Sequence, residues 1–353
     1  MIIKRLISAL LLASLFISLI SLSSCFAPRK FQDYSFDYFD TVTTVTGYEK
    51  SEEEFKSVSD ELFEILEEYH RLFDIYHKYD GIENLASVNS LVDGEHREVK
   101  VDRKIIDLLL FSVEIYGKSG GKVNIAMGSV LSIWHNYRKL GENSPNSAKL
   151  PPMEKLQAAA QHTDINNLII DEENSTVRIT DPEMTLDVGA VAKGYAVEMA
   201  ARALEERGIT GYIINCGGNI RAIGEKPNGE KWLVGVENPN EDEENPFLRY
   251  LNLSSEAMVV SGNYQRYYFV NGKSYHHIID NETLMPAEGF TSVAVLSASS
   301  ALADGLSTAL FCLSYEEGLA LAESVSGIEV LWLFENGEIK TTEGFKDYEN
   351  RDS

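Results

Sequence analysis

Apolar residues recur along this chain in two rhythms. At Phe55, Val58, Leu62, Leu66, Tyr69 and Phe73 they return every three or four residues, which puts them on one face of a long amphipathic helix. Ser51 and Glu54 stand before that run as a capping box. Further helices are predicted over 105–116, 190–207, 302–313 and 315–325. Lys118-Ser119-Gly120-Gly121 closes the first of these, and Gly208 stands where a left-handed cap ends the second. The other rhythm is short and rich in Thr, Val and Ile. It predicts strands over 39–48, 212–214 and 292–296, and a pair within 168–180 around Glu173-Asn174. Asn271-Gly272 within 267–279, and Asn336-Gly337 between 329–334 and 339–342, mark tight hairpins. Polar loops are expected over 143–152 and 237–245, the second strongly acidic. Strands and helices mix without strict alternation, so the fold class is α+β.

The first residues follow a different logic. Lys4 and Arg5 precede an apolar run over 6–22, and Leu22-Ser23-Ser24-Cys25 has the form of a lipobox. Residues 1–24 are therefore expected to be a lipoprotein signal peptide, with Cys25 lipidated, palmitate among its chains. Residues 25–36 would be a tether and 37–348 the folded domain. Such a chain is held at the extracytoplasmic face of the cell membrane by its anchor without spanning it. An uncleaved membrane anchor is the alternative. No later segment approaches the roughly 18 apolar residues of a span.

Composition narrows the function. The formal net charge of −24 argues against nucleic acid, which requires basic surface. Of three cysteines, Cys216 and Cys312 remain beyond the lipobox and are expected to be buried and unpaired. No CxxC pair or His-rich tract suggests zinc. The glycine fingerprints of Rossmann and P-loop nucleotide binding, HExxH and GxSxG are all missing.

Four polar, glycine-bearing clusters carry the candidate chemistry. Leu186-Asp187-Val188-Gly189-Ala190-Val191-Ala192-Lys193-Gly194 follows a strand-like stretch and opens a helix. Asp187 is placed to cap that helix, whose first N–H groups would then suit an anion, with Lys193 one turn in. A plain cap and a surface lysine are the simpler reading. Asn215-Cys216-Gly217-Gly218-Asn219 follows a buried strand, and its paired glycines suit either close backbone approach to a ligand or an ordinary turn. Ser261-Gly262-Asn263-Tyr264 reads as a hairpin ahead of His276-His277-Ile278-Ile279-Asp280, so that Ser261, His277 and Asp280 can converge. A purely structural histidine is the alternative. In Ala303-Asp304-Gly305-Leu306-Ser307-Thr308, helical spacing puts Asp304 and Thr308 on one face. A carboxylate and a hydroxyl are hard oxygen donors of the kind Mg²⁺ takes together with waters and phosphates. A simple N-cap at Asp304 is the other possibility.

In this order, the segments 186–196, 215–220, 261–268, 276–280 and 303–311 resemble the ApbE family of FAD:protein FMN transferases, across essentially the whole chain after the signal. The resemblance implies an ApbE-like, T-fold-related architecture of mixed sheets packed with helices, with a flavin cleft between lobes. It implies cleavage of FAD, attachment of FMN through a phosphoester to Thr or Ser of a flavoprotein, and release of AMP. Family acceptors include subunits of Rnf and of the Na⁺-translocating NADH:quinone reductase. Asp187 and Lys193 match flavin-site positions. The carbonyl of Ala190 with Asp304 and Thr308 matches the Mg²⁺ site, Ser307 beside it. Ile278 matches a backbone contact to FAD. His277, rather than His276, matches the family histidine, a phosphate-side or acid–base candidate alongside Asp187. Ser261, Gly217 and Gly218 match positions lining the nucleotide pocket. Phe39-Asp40-Thr41 stands where many members have Met-Gly-Thr, and Tyr76 or Tyr79 matches the aromatic flavin contact. Two departures stand out: Asn124 replaces a carboxylate, and Asn281 replaces a proline after Asp280. Rival readings are a Mg²⁺-dependent FAD pyrophosphatase, a non-catalytic flavin-binding lipoprotein, and, more distantly, a serine hydrolase.

Overall fold

One eight-stranded sheet organises the molecule. The computed structural model describes residues 27–240 and 246–350; the signal segment, Cys25 and part of the acidic 237–245 loop lie outside the described residues. The strands are β1 (Arg29–Tyr38), β2 (Thr41–Glu49), β3 (Tyr212–Cys216), β4 (Asn219–Ile223), β5 (Ala257–Gly262), β6 (Phe290–Ser297), β7 (Ile328–Phe334) and β8 (Ile339–Thr341). They lie side by side in chain order, each antiparallel to its neighbours. The helices that matter below are α1 (Glu52–Phe73), α2 (Arg103–Lys118), α3 (Gly128–Asn143), α4 (Ala192–Glu206), α5 (Ser300–Cys312) and α6 (Tyr315–Ser324).

The sheet is covered on both faces, which explains its composition. Alternate residues of a strand point to opposite sides. In β6, Val293 and Val295 join the helix-side core with Leu306 and Leu310 of α5. Ala294 and Leu296 face the other way, against a two-stranded ribbon of Trp232–Glu237 and Phe247–Leu253. A strand buried on both sides reads as a continuous apolar run. The largest core joins β2 and β3 to α1, α2 and α4, including Val45, Leu62, Leu66, Ile214 and Ala200. A smaller cluster packs Val130 and Trp134 of α3 against Tyr268 and Val270 of the Tyr267–Val270 and Lys273–His276 hairpin.

Several expectations change. The segment expected to be a tether holds β1, which pairs along β2 from Arg29 opposite Glu49. Phe31 anchors it by stacking on Phe55 of α1, with ring centroids 5.5 Å apart. Only one arm of the Ser51 box forms, the Ser51 hydroxyl accepting from Glu54 N at 3.2 Å. The reciprocal box forms instead at Ser314 and Glu317, ahead of α6. Residues 261–264 are not a hairpin: Ser261 and Gly262 end β5, and the hairpin lies further on, around Asn271-Gly272. Cys216 is buried as expected, while Cys312 is only half-buried; both are free thiols. No described helix is long and apolar enough to cross a membrane.

Candidate active site

Two tight turns lie together at one end of the sheet. Between β1 and β2 the turn is Phe39-Asp40, with φ of 53° and 52°. Between β3 and β4 it is Gly217-Gly218, with φ of 55° and 87°. Left-handed geometry costs a glycine nothing but strains Phe39 and Asp40. Gly217 N donates to the Val42 carbonyl at 3.1 Å, and a Cβ on Gly217 would collide with the Thr41 side chain. The Gly-Gly pair is thus a hairpin turn whose first residue must be small.

The helices α4 and α5 meet beside these turns. Gly194 is the contact: a Cβ there would run into the Asp304 side chain and lie 2.6 Å from the Ser300 carbonyl. This closeness lets Gly194 N donate to Asp304 Oδ2 at 2.7 Å. α4 starts at Ala192 rather than 190, and its N-cap Val191 makes no side-chain bond. Asp187 does not cap it; its Oδ1 accepts from Gly189 N at 2.9 Å within the preceding turn. The anion that occupies the α4 N-terminus is therefore the Asp304 carboxylate, delivered by another helix. Burial raises the Asp304 pKa, opposed by the nearby Lys193 ammonium and the Gly194 N–H. The Asn219 amide also favours the charged form, although neither of its side-chain atoms completes a hydrogen bond within the protein.

Thr308 follows Asp304 by one turn and is half-buried. Ser307 Oγ donates to the Asp304 carbonyl at 2.9 Å. Its one proton being so used, Ser261 Oγ is the donor in the 2.8 Å bond between the two serines. Ala190 lies in the turn leading into α4. Among the described residues no three His, Cys, Asp or Glu side chains form a metal cage. One buried carboxylate with hydroxyl and backbone oxygens nevertheless fits Mg²⁺, which keeps waters and substrate oxygens in its shell.

A second set of groups gathers around Asp187, in the segment that leads into α4. Tyr76, 59% exposed, stacks on His135 of α3 with centroids 5.4 Å apart. Tyr79 gives its hydroxyl to Asp74 at 2.9 Å, whereas Tyr76 is acted on by Asp187, Arg138 and Arg266. Burial raises the pKa of Asp187, countered by Gly189 N–H and the charges of His135, Arg138 and Arg266. His277 is pulled down to about 3 by burial first, then by Arg266 and Arg138, although part of its ring still reaches solvent. His277 Nδ1 lies 3.2 Å from the Arg266 carbonyl. A carbonyl only accepts, so Nδ1 carries the proton and Nε2 keeps a free lone pair.

The remaining expected residues are tied into the framework. Ser261, His277 and Asp280 do not converge as a triad, because Asp280 pairs with Lys122 at 3.0 Å and caps the turn at Glu282 and Thr283. Asn124 Oδ1 accepts from Ala126 N at 2.9 Å and Nδ2 donates to the Thr163 carbonyl at 2.8 Å. Ile278 N donates to His276 Nδ1 at 3.3 Å, and its carbonyl accepts from Ala287 N at 3.0 Å. Sequence reading did not single out His135, Arg138, Arg266 or Asn219. Arg266 and Asn219 sat inside strings that had been noticed; His135 and Arg138 lie on α3, which had not been read as a helix.

The chain is similar to known proteins in sequence and in fold. Residues 39–332 match the model of the ApbE family. A Vibrio cholerae protein named FAD:protein FMN transferase is 29% identical over 83% of this chain and 82% of its own length. One of the same name from Treponema pallidum is 30% identical over 70% of each. The crystal structure of the ApbE protein from Thermotoga maritima superposes with a TM-score of 0.79 at 26% identity, covering 92% of this chain and all of that one. With the family match running through both hairpin turns, α4 and α5, the chain belongs to the ApbE family.

Proposed function

We propose that this chain is a transferase that takes FAD, joins its FMN half to a Thr or Ser hydroxyl of a flavoprotein, and releases AMP. The observation that carries the reading is the meeting of Asp304 with the α4 N-terminus at Gly194, with the Lys193 charge beside that carboxylate. Phosphoryl transfer asks chiefly for positioning and neutralisation of charge. Asp304, Thr308 and the Ala190 carbonyl would hold Mg²⁺, which when bound polarises a phosphate oxygen and stabilises the leaving group. Lys193 adds a fixed positive charge on the same side. Tyr76 offers an open ring face for the flavin. His277 is neutral with Nε2 free, so it is suited to take the acceptor hydroxyl proton as the new oxygen–phosphorus bond forms and the pyrophosphate bond breaks. Asp187 is the second candidate for that proton. Ser261, Ile278 and the Gly217-Gly218 turn line the nucleotide side in this reading.

Asp304→Ala removes the one carboxylate of the set. Mass spectrometry of a co-expressed Rnf-type or NADH:quinone reductase-type acceptor should then show loss of the added FMN mass. Full labelling by that variant in saturating Mg²⁺ would sink the assignment. Fast AMP release from FAD without any acceptor would favour hydrolysis instead. The lipobox supports anchoring through Cys25 at the extracytoplasmic face of the membrane, and β1 begins only at Arg29. Cys25→Ala should move the protein from the membrane to the soluble fraction; unchanged fractionation would point to an uncleaved span.

A further inference from the structure

Two arginines act on His277, and among the described residues the only carboxylate within 4.0 Å of either is Glu142, 3.5 Å from Arg138. We propose that Arg138 and Arg266 are positioning residues that clamp a phosphate of the flavin nucleotide next to His277, a proposal that rests on the flavin transferase reading above. The Arg138 side chain is only 16% exposed, and among the described residues the one carboxylate within 4.0 Å of it, Glu142, is 3.5 Å away and half in solvent. Its Nη2 points at His135 Nδ1 at 3.3 Å, a bond that leaves His135 the acceptor and neutral. Burial together with Arg138 and Lys139 pushes the His135 pKa down to match. Among the described residues, the Arg266 guanidinium has no carboxylate within 4.0 Å. Asp187 feels both arginines, yet its Oδ1 is spent on Gly189 N and it forms no ion pair with either.

A mostly buried guanidinium whose one ion pair is long and half in solvent, beside a second, exposed guanidinium with none, leaves room for an added anion. A flavin-nucleotide phosphate, singly charged in FAD and up to doubly charged in FMN, would supply it, since the planar fork of arginine matches phosphate oxygens two at a time. The occupant is narrowed by what surrounds the gap. Tyr76 and His135 stack at its edge, an aromatic wall suited to a flavin ring. His277 faces it from the next strand, its Nδ1 fixed by the Arg266 carbonyl. The charged and titratable groups acting on His277 are Arg266, Arg138 and His276. A phosphate seated between the arginines would cancel their field, so His277 becomes a better proton acceptor only once the nucleotide is in place.

Equilibrium binding of FAD, FMN and riboflavin to the purified protein tests this, read by flavin fluorescence. In Arg138→Gln and Arg266→Gln, FAD and FMN should each bind roughly tenfold to a hundredfold more weakly, as expected for a lost charge-assisted contact. Riboflavin, which lacks phosphate, should bind as in the parent. Arg266 is exposed, so its replacement leaves the core untouched. NMR titration of His277 in ligand-free Arg266→Gln should move its midpoint upward. FAD affinity unchanged in both variants would overturn the clamp, as would riboflavin losing affinity in parallel with FAD. A parent protein that binds no flavin at all would instead bring down the transferase reading beneath it.

Discussion

His276 and His277 are neighbours in sequence and opposites in setting. His276 Nε2 donates to the Ala287 carbonyl at 2.8 Å and its Nδ1 accepts from Ile278 N, so both nitrogens are used for structure. His277 spends one nitrogen on the Arg266 carbonyl and keeps the other. Its depressed pKa makes a pH statement. A histidine whose folded value lies below the unfolded 6.5 contributes stability above 6.5, and loses it as pH falls towards about 3. The ligand-free protein should therefore weaken on acidification through that window, and His277→Gln should flatten the dependence. Urea midpoints between pH 7 and pH 4 measure this, and equal slopes in the two proteins would contradict it. The pair also shows what sequence could reach. The motif marked His277 over His276, but its lowered pKa comes from burial first and then from Arg266 and Arg138, which only the fold brings near it. Asn124 teaches the same lesson. Its departure from the family carboxylate has a local cause, because only an amide can donate to the Thr163 carbonyl while accepting from Ala126 N. Asp40, at a φ of 52° that suits glycine better, is strained for a reason that only backbone geometry reveals.

Among elements, the crossing of α4 and α5 sets the site. Gly194 gives the closeness, and the closeness gives the 2.7 Å bond to Asp304. Gly194→Ala should push the helices apart at a cost of about 1–3 kcal/mol of overpacking. If Asp304 holds Mg²⁺ as proposed, it should also change cation affinity, because Asp304 is displaced from the Gly194 N–H. Thermal unfolding and calorimetric titration with Mg²⁺ would separate the two effects. A variant with parental stability and parental Mg²⁺ binding would show that the contact does not matter. Most helices were legible from their apolar stripe, α1 above all, where Leu62 and Leu66 are fully buried. α3 was not, because glycines and polar residues at Gly128, Ser129, Ser132 and Gly141 dilute its stripe to Val130 and Trp134. The ribbon over the second sheet face escaped notice because it flanks an acidic loop. β1 was mistaken for linker because an edge strand is only half-covered, and its alternation is carried by a few aromatics such as Phe31 and Tyr38.

The whole molecule distributes its chemistry unevenly. Within a chain of net charge −24, Arg138 and Arg266 both act on the buried Asp187 and oppose the rise in its pKa. The family could be read from five short strings, and the α+β class from strands and helices that mix without strict alternation. The two-faced covering of the sheet could not, since buried strands on either side of β6 look alike in sequence.

Side-by-side order in the sheet also dictates a timetable. The β1–β2 ribbon is complete at Glu49, but its next partner, β3, begins about 160 residues later at Tyr212. At ribosomal rates of about 5–20 residues per second, that wait lasts on the order of ten to thirty seconds. Meanwhile the inner edge of β2 has no mate, and α1 is the first element able to shelter its apolar side. Nascent chains halted before residue 212 should therefore leave the β2 amides open to deuterium, with protection arriving only after β3 emerges. Early protection would mean that some other segment guards that edge in the interim.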